Sequence, residues 1–220
     1  MSEKCLENRL EKHIDILMSR YPNLQGICQE IIHAYLLLEE CYRRGGKVLI
    51  AGNGGSAADS EHIMGELMKQ FRLPRPVSAE YAGRLCKAGG KRGEALAERL
   101  ECPLAAISLV GHGALSTALQ NDVGGDIGFA QQLLGLGKEG DVFLGISTSG
   151  NSENIMNAVV VAKASGLKVV GLTGKDGGVL GKTADVAVRV PETETYRIQE
   201  LHLPVYHCWC LMLEDKFYGK

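Results

Sequence analysis

The sequence predicts a doubly wound α/β fold, on three observations. Short apolar runs alternate with amphipathic stretches of ten or more residues, two of the runs end in Gly/Ser/Asn turns that lead straight into helical patterns, and two helical repeats precede the first run. Strands that alternate with helices of that length require right-handed crossovers and a parallel sheet covered on both faces. Ligands in such folds sit beyond the carboxyl ends of the strands.

The elements follow in order. Leu6, Leu10, Ile14 and Leu17 recur at helical spacing, and Ile27, Ile31, Ala34 and Leu38 repeat it after the break at Tyr21-Pro22-Asn23. Two helices therefore occupy about residues 3–44, the second stopping at Gly45-Gly46. The pair has more apolar surface than one sheet edge needs, which suits a role in subunit packing. Val48 to Ala51 is the first strand, turned into a helix by Gly52-Asn53-Gly54-Gly55-Ser56. Leu104 to Leu109, Val142 to Thr148, Leu167 to Thr173 and Val186 to Val190 are the other strands. After Ser152, Ile155, Val159 and Ala162 mark one face of a helix, and Gly174-Lys175-Asp176-Gly177-Gly178 reads as a turn. No Pro/Ser-rich linker or shift in composition divides the chain, so residues 1–220 are expected to form one domain.

The turn Ser147-Thr148-Ser149-Gly150-Asn151-Ser152 carries the sharpest chemical signal. It gathers four hydroxyls and free backbone N–H groups at the positive end of a helix, without one Lys or Arg. A small phosphorylated molecule is the natural guest. Neither turn has the G-x-G-x-x-G pattern with a following acidic residue, or the Gly-Lys-Ser/Thr ending of a nucleotide loop, which argues against dinucleotides and nucleoside triphosphates.

Composition excludes other classes. A net charge of -2 gives no electrostatic case for nucleic acid or an anionic membrane. The polar start Met1-Ser2-Glu3-Lys4-Cys5 and the lack of a long apolar run argue against a secretory signal or a membrane span, so a cytoplasmic protein is expected. Seven cysteines at irregular spacing, none in C-x-x-C, read as reduced thiols rather than a disulfide frame or a structural zinc site.

His62 and Glu66, spaced i, i+4, share a helical face, a common two-ligand arrangement for zinc that is also a common surface pair. Glu66 lies ten residues beyond Ser56, roughly 15 Å along the helix from the turn. His207, amid Tyr206, Cys208, Trp209 and Cys210, reads equally as a core histidine; His202 and His112 read as structural, though His112 could line the cleft.

Gly52-Asn53-Gly54-Gly55-Ser56, the run Leu144 to Ser152, Leu172 to Gly178 and Arg197-Ile198-Gln199-Glu200 resemble the sugar isomerase (SIS) domain, specifically its phosphoheptose isomerase branch. The resemblance implies a flavodoxin-like five-stranded parallel sheet, a homotetramer with sites near subunit boundaries, and aldose/ketose interconversion of a seven-carbon sugar phosphate. It places the phosphate on Ser147, Thr148, Ser149 and Ser152, with Asn53, Gly54, Ser56, Asp122 and Gln199 as sugar contacts. Glu66 and His207 stand as the acid/base pair, and His62, Glu66, Gln199 and His207 as ligands of a divalent metal, zinc in many members. On a regular helix Gln199 and His207 lie about 12 Å apart, so the ion needs a kink at Pro204 or a second protomer.

The chain departs from the family pattern in places. A long insertion spans about residues 76–103, with a basic stretch (Arg84, Lys87, Lys91, Arg92) and a helix from Glu94 to Leu100. Those cations read as a cover for the cleft or as a solvated excursion. Gln70 and Tyr196 replace an Arg and an acidic residue common in the family, and Ala57-Ala58 replaces a His-Cys pair. Two alternatives stay open: an isomerase for a different sugar phosphate, and a non-catalytic SIS module that binds a phosphosugar and a protein partner. A binding module needs neither Glu66 nor His207.

Overall fold

The computed structural model describes residues 7–219, so Leu6 and Cys5 lie outside the described residues. Five strands, β1 (Val48–Ala51), β2 (Ala106–Ser108), β3 (Val142–Ser147), β4 (Lys168–Thr173) and β5 (Val186–Arg189), form one parallel sheet in the order β2-β1-β3-β4-β5. The chain winds outward from β1 in both directions, so the carboxyl ends of β1 and β3 lie side by side at the switch point where α/β folds bind ligands. The strands keep the expected positions but trim at their ends; β2 loses Leu104 and Leu109, which are buried outside the ladder.

Period-two alternation sorts the strand residues onto two faces. Val48, Ile50, Val142, Leu144, Ile146, Val170 and Leu172 join one core, whereas Leu49, Ala51, Phe143 and Val169 join the other. The first core is roofed by α1 (Asn8–Arg20), α2 (Cys28–Arg43), α3 (Gly55–Met68) and α10 (Thr195–Tyr218). The second is covered by α7 (Gly128–Leu136), α8 (Glu153–Ala164) and α9 (Leu180–Thr183). In α1, Leu10, Ile14 and Leu17 bury in the same core as α10, and in α2 Ile31, Ala34, Tyr35 and Leu38 bury beneath it. Part of the surplus apolar surface expected of this pair stays outward, with Ile16 54% exposed and Ile32, Leu36 and Leu37 half-buried.

The insertion is a helical hairpin. Ser78 caps α4 (Ala79–Gly89), with its hydroxyl accepting from Tyr81 N–H at 3.2 Å, and α5 (Lys91–Ala97) follows Gly90 at φ +51°. The sequence placed a helix at Glu94 to Leu100 and a Gly-rich stretch before it. Gly83, Gly89 and Gly93 proved compatible with helix, and Gly93 lets α5 close on Leu85, where a Cβ would meet a backbone oxygen at 1.9 Å. A single bridge, Pro76 to Glu101, ties the two ends of the excursion. Arg84, Lys87, Lys91 and Arg92 are exposed, and α4 and α5 pack chiefly on each other, so the hairpin leaves the cleft uncovered within the chain.

Six described cysteines form no disulfide. Burial pushes the thiols of Cys41 and Cys208 up to about 11 and about 12, as expected of inert core thiols.

Candidate active site

Two turns meet at the switch point. In the first, Gly52 passes so close to the start of α3 that a Cβ would meet Ser56 O at 2.4 Å, and Gly54 adopts φ +55°, ψ -120° at the helix N-cap. In the second, Ser152 is the N-cap of α8, yet its hydroxyl pairs with Ser147 Oγ at 2.9 Å rather than capping the helix. Gly150, at φ +66°, packs against the Gly174–Gly178 turn, where a Cβ would strike Gly177 O. The side chains of Asn53 and Asn154 exchange two amide hydrogen bonds of 2.9 Å and join the turns. Ser147 is buried, Thr148 half-buried and Ser149 exposed, which grades the hydroxyls from floor to rim of a basin at the end of β3. Such a basin holds an anion through neutral donors and the α8 dipole.

Gln199 belongs to this end. Its side chain lies over Gly55, where a Cβ would meet Nε2 at 2.5 Å. Asp122 closes α6 (Gly113–Asp122), a helix with no buried residue, and accepts from Asn121 Nδ2 at 2.8 Å. His112, at the N-cap of the same helix, bonds Gln132 Oε1 at 2.6 Å and joins neither cluster of the site.

A second cluster forms where α3 crosses α10. His62 Nε2 lies 3.4 Å from Glu66 Oε1 and 3.4 Å from His207 Nε2, with the two imidazoles edge to face. Lys69 Nζ reaches Glu66 Oε2 at 2.9 Å, and Phe71 lies beside His207 with ring centroids 5.5 Å apart. Burial, and then the neighbouring His62, push His207 below the ordinary histidine value, opposed by the Glu66 carboxylate. A ring that stays neutral at pH 7 can take a proton on one nitrogen while giving one from the other.

Two residue types that the sequence did not bring forward hold this cluster in place. Glu214, buried on α10, accepts from the N–H groups of Phe71, Arg72 and Leu73 at 2.7, 2.8 and 3.0 Å and pairs with buried Arg75 at 2.8 Å. Arg75 also donates to Leu67 O and lies over the Tyr218 ring. The chain leaving α3 is thereby fastened to α10 behind His207. The sequence carried only a weak signal, since Glu214 follows the apolar run Cys208 to Leu213 and opens the charged stretch Glu214-Asp215-Lys216.

The metal set expected from the sequence is not assembled. The two 3.4 Å edges match the ligand separation of a tetrahedral ion with bonds of about 2.0–2.1 Å. Among the described residues, however, no group of three or more His, Cys, Asp and Glu side chains is arranged to hold a metal ion. α10 runs through Pro204 without a break, so Gln199 stays at the turn end, about 12 Å along the helix from His207. Proline costs one hydrogen bond there, and the surrounding core keeps the helix intact.

Comparison with known proteins agrees with this geometry. Residues 91–174 match the SIS domain family. The chain is 36% identical over 217 residues to a phosphoheptose isomerase of Sulfurimonas denitrificans, covering 99% of this chain and 97% of that one. Among solved structures it resembles phosphoheptose isomerase GmhA from Neisseria gonorrhoeae, with a TM-score of 0.71 at 32% identity, covering 96% of this chain and 100% of that one. A phosphoheptose isomerase from Francisella tularensis gives a TM-score of 0.73 at 31% identity, covering 94% and 97%.

Proposed function

Because the chain belongs to the phosphoheptose isomerases of the SIS family, we propose that it interconverts sedoheptulose 7-phosphate and D-glycero-D-manno-heptose 7-phosphate through an enediol. The observation that carries this reading is the His62–Glu66–His207 cluster, since a module that only bound a phosphosugar would need no titratable group there. The 7-phosphate enters the basin of Ser147, Thr148, Ser149 and Ser152. Asn53, Gly54, Ser56 and Gln199 would line the sugar beside it, and Asp122, exposed at the end of α6, would join them only as a further sugar contact.

Glu66 removes a proton from C1 of the ketose and returns it to C2. His207 delivers a proton to the C2 oxygen and accepts one from the C1 oxygen, so the enediol forms and collapses without net change in charge. α3 is an unbroken helix, so Glu66 stands roughly 15 Å from the turn that opens it. An extended seven-carbon substrate, or a turn supplied by a second subunit, spans that gap. A homotetramer with shared sites fits the second case, and a cytoplasmic location fits the sugar-phosphate substrate. Among the described residues no helix is long and apolar enough to cross a membrane.

A divalent ion, zinc by its donors, belongs to the same reading. His62, Glu66 and His207, which meet along two 3.4 Å edges, would have to close further to hold it, and bound there it would polarise the substrate oxygens. Gln199 would join only from another subunit.

The test is NMR of sedoheptulose 7-phosphate and of five- and six-carbon ketose phosphates in D₂O, with and without chelator. Deuterium entering C1 or C2 of the heptulose alone supports the reading. Exchange confined to a shorter ketose phosphate moves the substrate, and no exchange with added divalent metal leaves a binding module.

A further inference from the structure

Tyr206 touches the reactive cluster but has no part in the chemistry above. It is buried on α10, and its hydroxyl lies 3.1 Å from Asp59 Oδ1 and 3.1 Å from His62 Nδ1. Its ring meets both His62 and His207 edge to face, with centroids 5.5 and 5.1 Å away. A phenol has one proton to give and lone pairs with which to accept. Asp59, one turn before His62 on α3, offers a carboxylate oxygen, and its other oxygen is buried without a hydrogen-bond partner. The Tyr206 hydroxyl donates to Asp59 Oδ1, and the phenolic oxygen faces His62 Nδ1 as an acceptor. That nitrogen must then carry hydrogen, which leaves the lone pair on Nε2. Nε2 is the atom 3.4 Å from both Glu66 and His207.

We propose that Asp59 and Tyr206 fix the tautomer and orientation of His62, so that its Nε2 lone pair is turned on the Glu66–His207 cluster. Tyr206 is thus a positioning residue that acts through His62. The inference rests on the isomerase reading in taking that cluster as the reactive end. Carboxylate, phenol and imidazole form a chain of two 3.1 Å contacts, the kind of partner that stands behind a working histidine.

The experiment is ¹⁵N–¹H correlation NMR of the full-length protein labelled on histidine nitrogens and treated with chelator, so that hydrogen bonding alone sets the tautomer. His62 is expected with hydrogen on Nδ1 and a bare Nε2. Tyr206→Phe, which removes only the hydroxyl, should lose that preference and lower kcat about tenfold while KM moves less than about twofold. Hydrogen on Nε2 of wild-type His62 overturns the proposal, and this reading needs no variant. An unchanged tautomer in Tyr206→Phe, or a changed tautomer with unchanged kcat, overturns it too. A wild-type protein with the expected tautomer but no isomerase activity would sink the functional reading and leave this one standing.

Discussion

The turn end and the helix-crossing end of the site are built from different materials. At the turns, the groups offered are backbone N–H, hydroxyls and side-chain amides on contiguous residues, with glycines allowing close approach. At the crossing of α3 and α10, the groups are imidazoles, carboxylates and a phenol, contributed by positions 59–66 and 206–207 and held by a buried ion pair between Arg75 and Glu214. The first end offers no titratable side chain, and the second is built from them. Damage at the turns should therefore appear in KM, and damage at the crossing in kcat or in stability.

The largest effect is expected at the frame of the crossing. Glu214→Ala leaves the Arg75 guanidinium buried without its partner and frees three backbone N–H groups, which should cost about 3–5 kcal/mol in urea unfolding. Next, His207→Ala removes the proposed proton shuttle and should lower kcat by about 10² with KM nearly unchanged, measured by steady-state kinetics. At the other end, Ser147→Ala removes one hydroxyl of the basin and its bond to Ser152; KM should rise about tenfold at nearly constant kcat. If Ser147→Ala acted mainly on kcat, the division between the two ends would not hold.

Smallest is the hairpin. Replacing residues 77–100 by a short Gly-rich turn should shift Tm by less than about 3 °C and leave KM unchanged, because the ends already meet at Pro76 and Glu101 and the hairpin shares no core. A marked rise in KM would instead make Arg84, Lys87, Lys91 and Arg92 a cover for the cleft.

The same contrast explains what the sequence made legible. The turns are local: Asn53 to Ser56 and Ser147 to Ser152 set out their groups in consecutive residues, and strand alternation follows a period of two, so both the sheet and the hydroxyl-lined turns could be read directly. The crossing depends on which residues of α3 face which residues of α10, a tertiary fact. His62 and Glu66 were visible at i, i+4, but Asp59 at i-3 and Tyr206 beside His207 gain meaning only once the helices pack. Gln199 shows the converse. Family pattern grouped it with His207, whereas the unbroken α10 holds it over Gly55. In the insertion, glycines suggested loop, and the Ser78 cap together with packing between α4 and α5 overrode their weak helix propensity.

The most direct test of the separation between anchor and reactive end is solvent exchange in Glu66→Gln. Incubated with sedoheptulose 7-phosphate in D₂O, the variant should bind the sugar phosphate with an affinity within about threefold of wild type while deuterium entry at C1 and C2 falls by about 10³. Exchange at the wild-type rate would contradict the account, because the bond-changing base would then lie elsewhere.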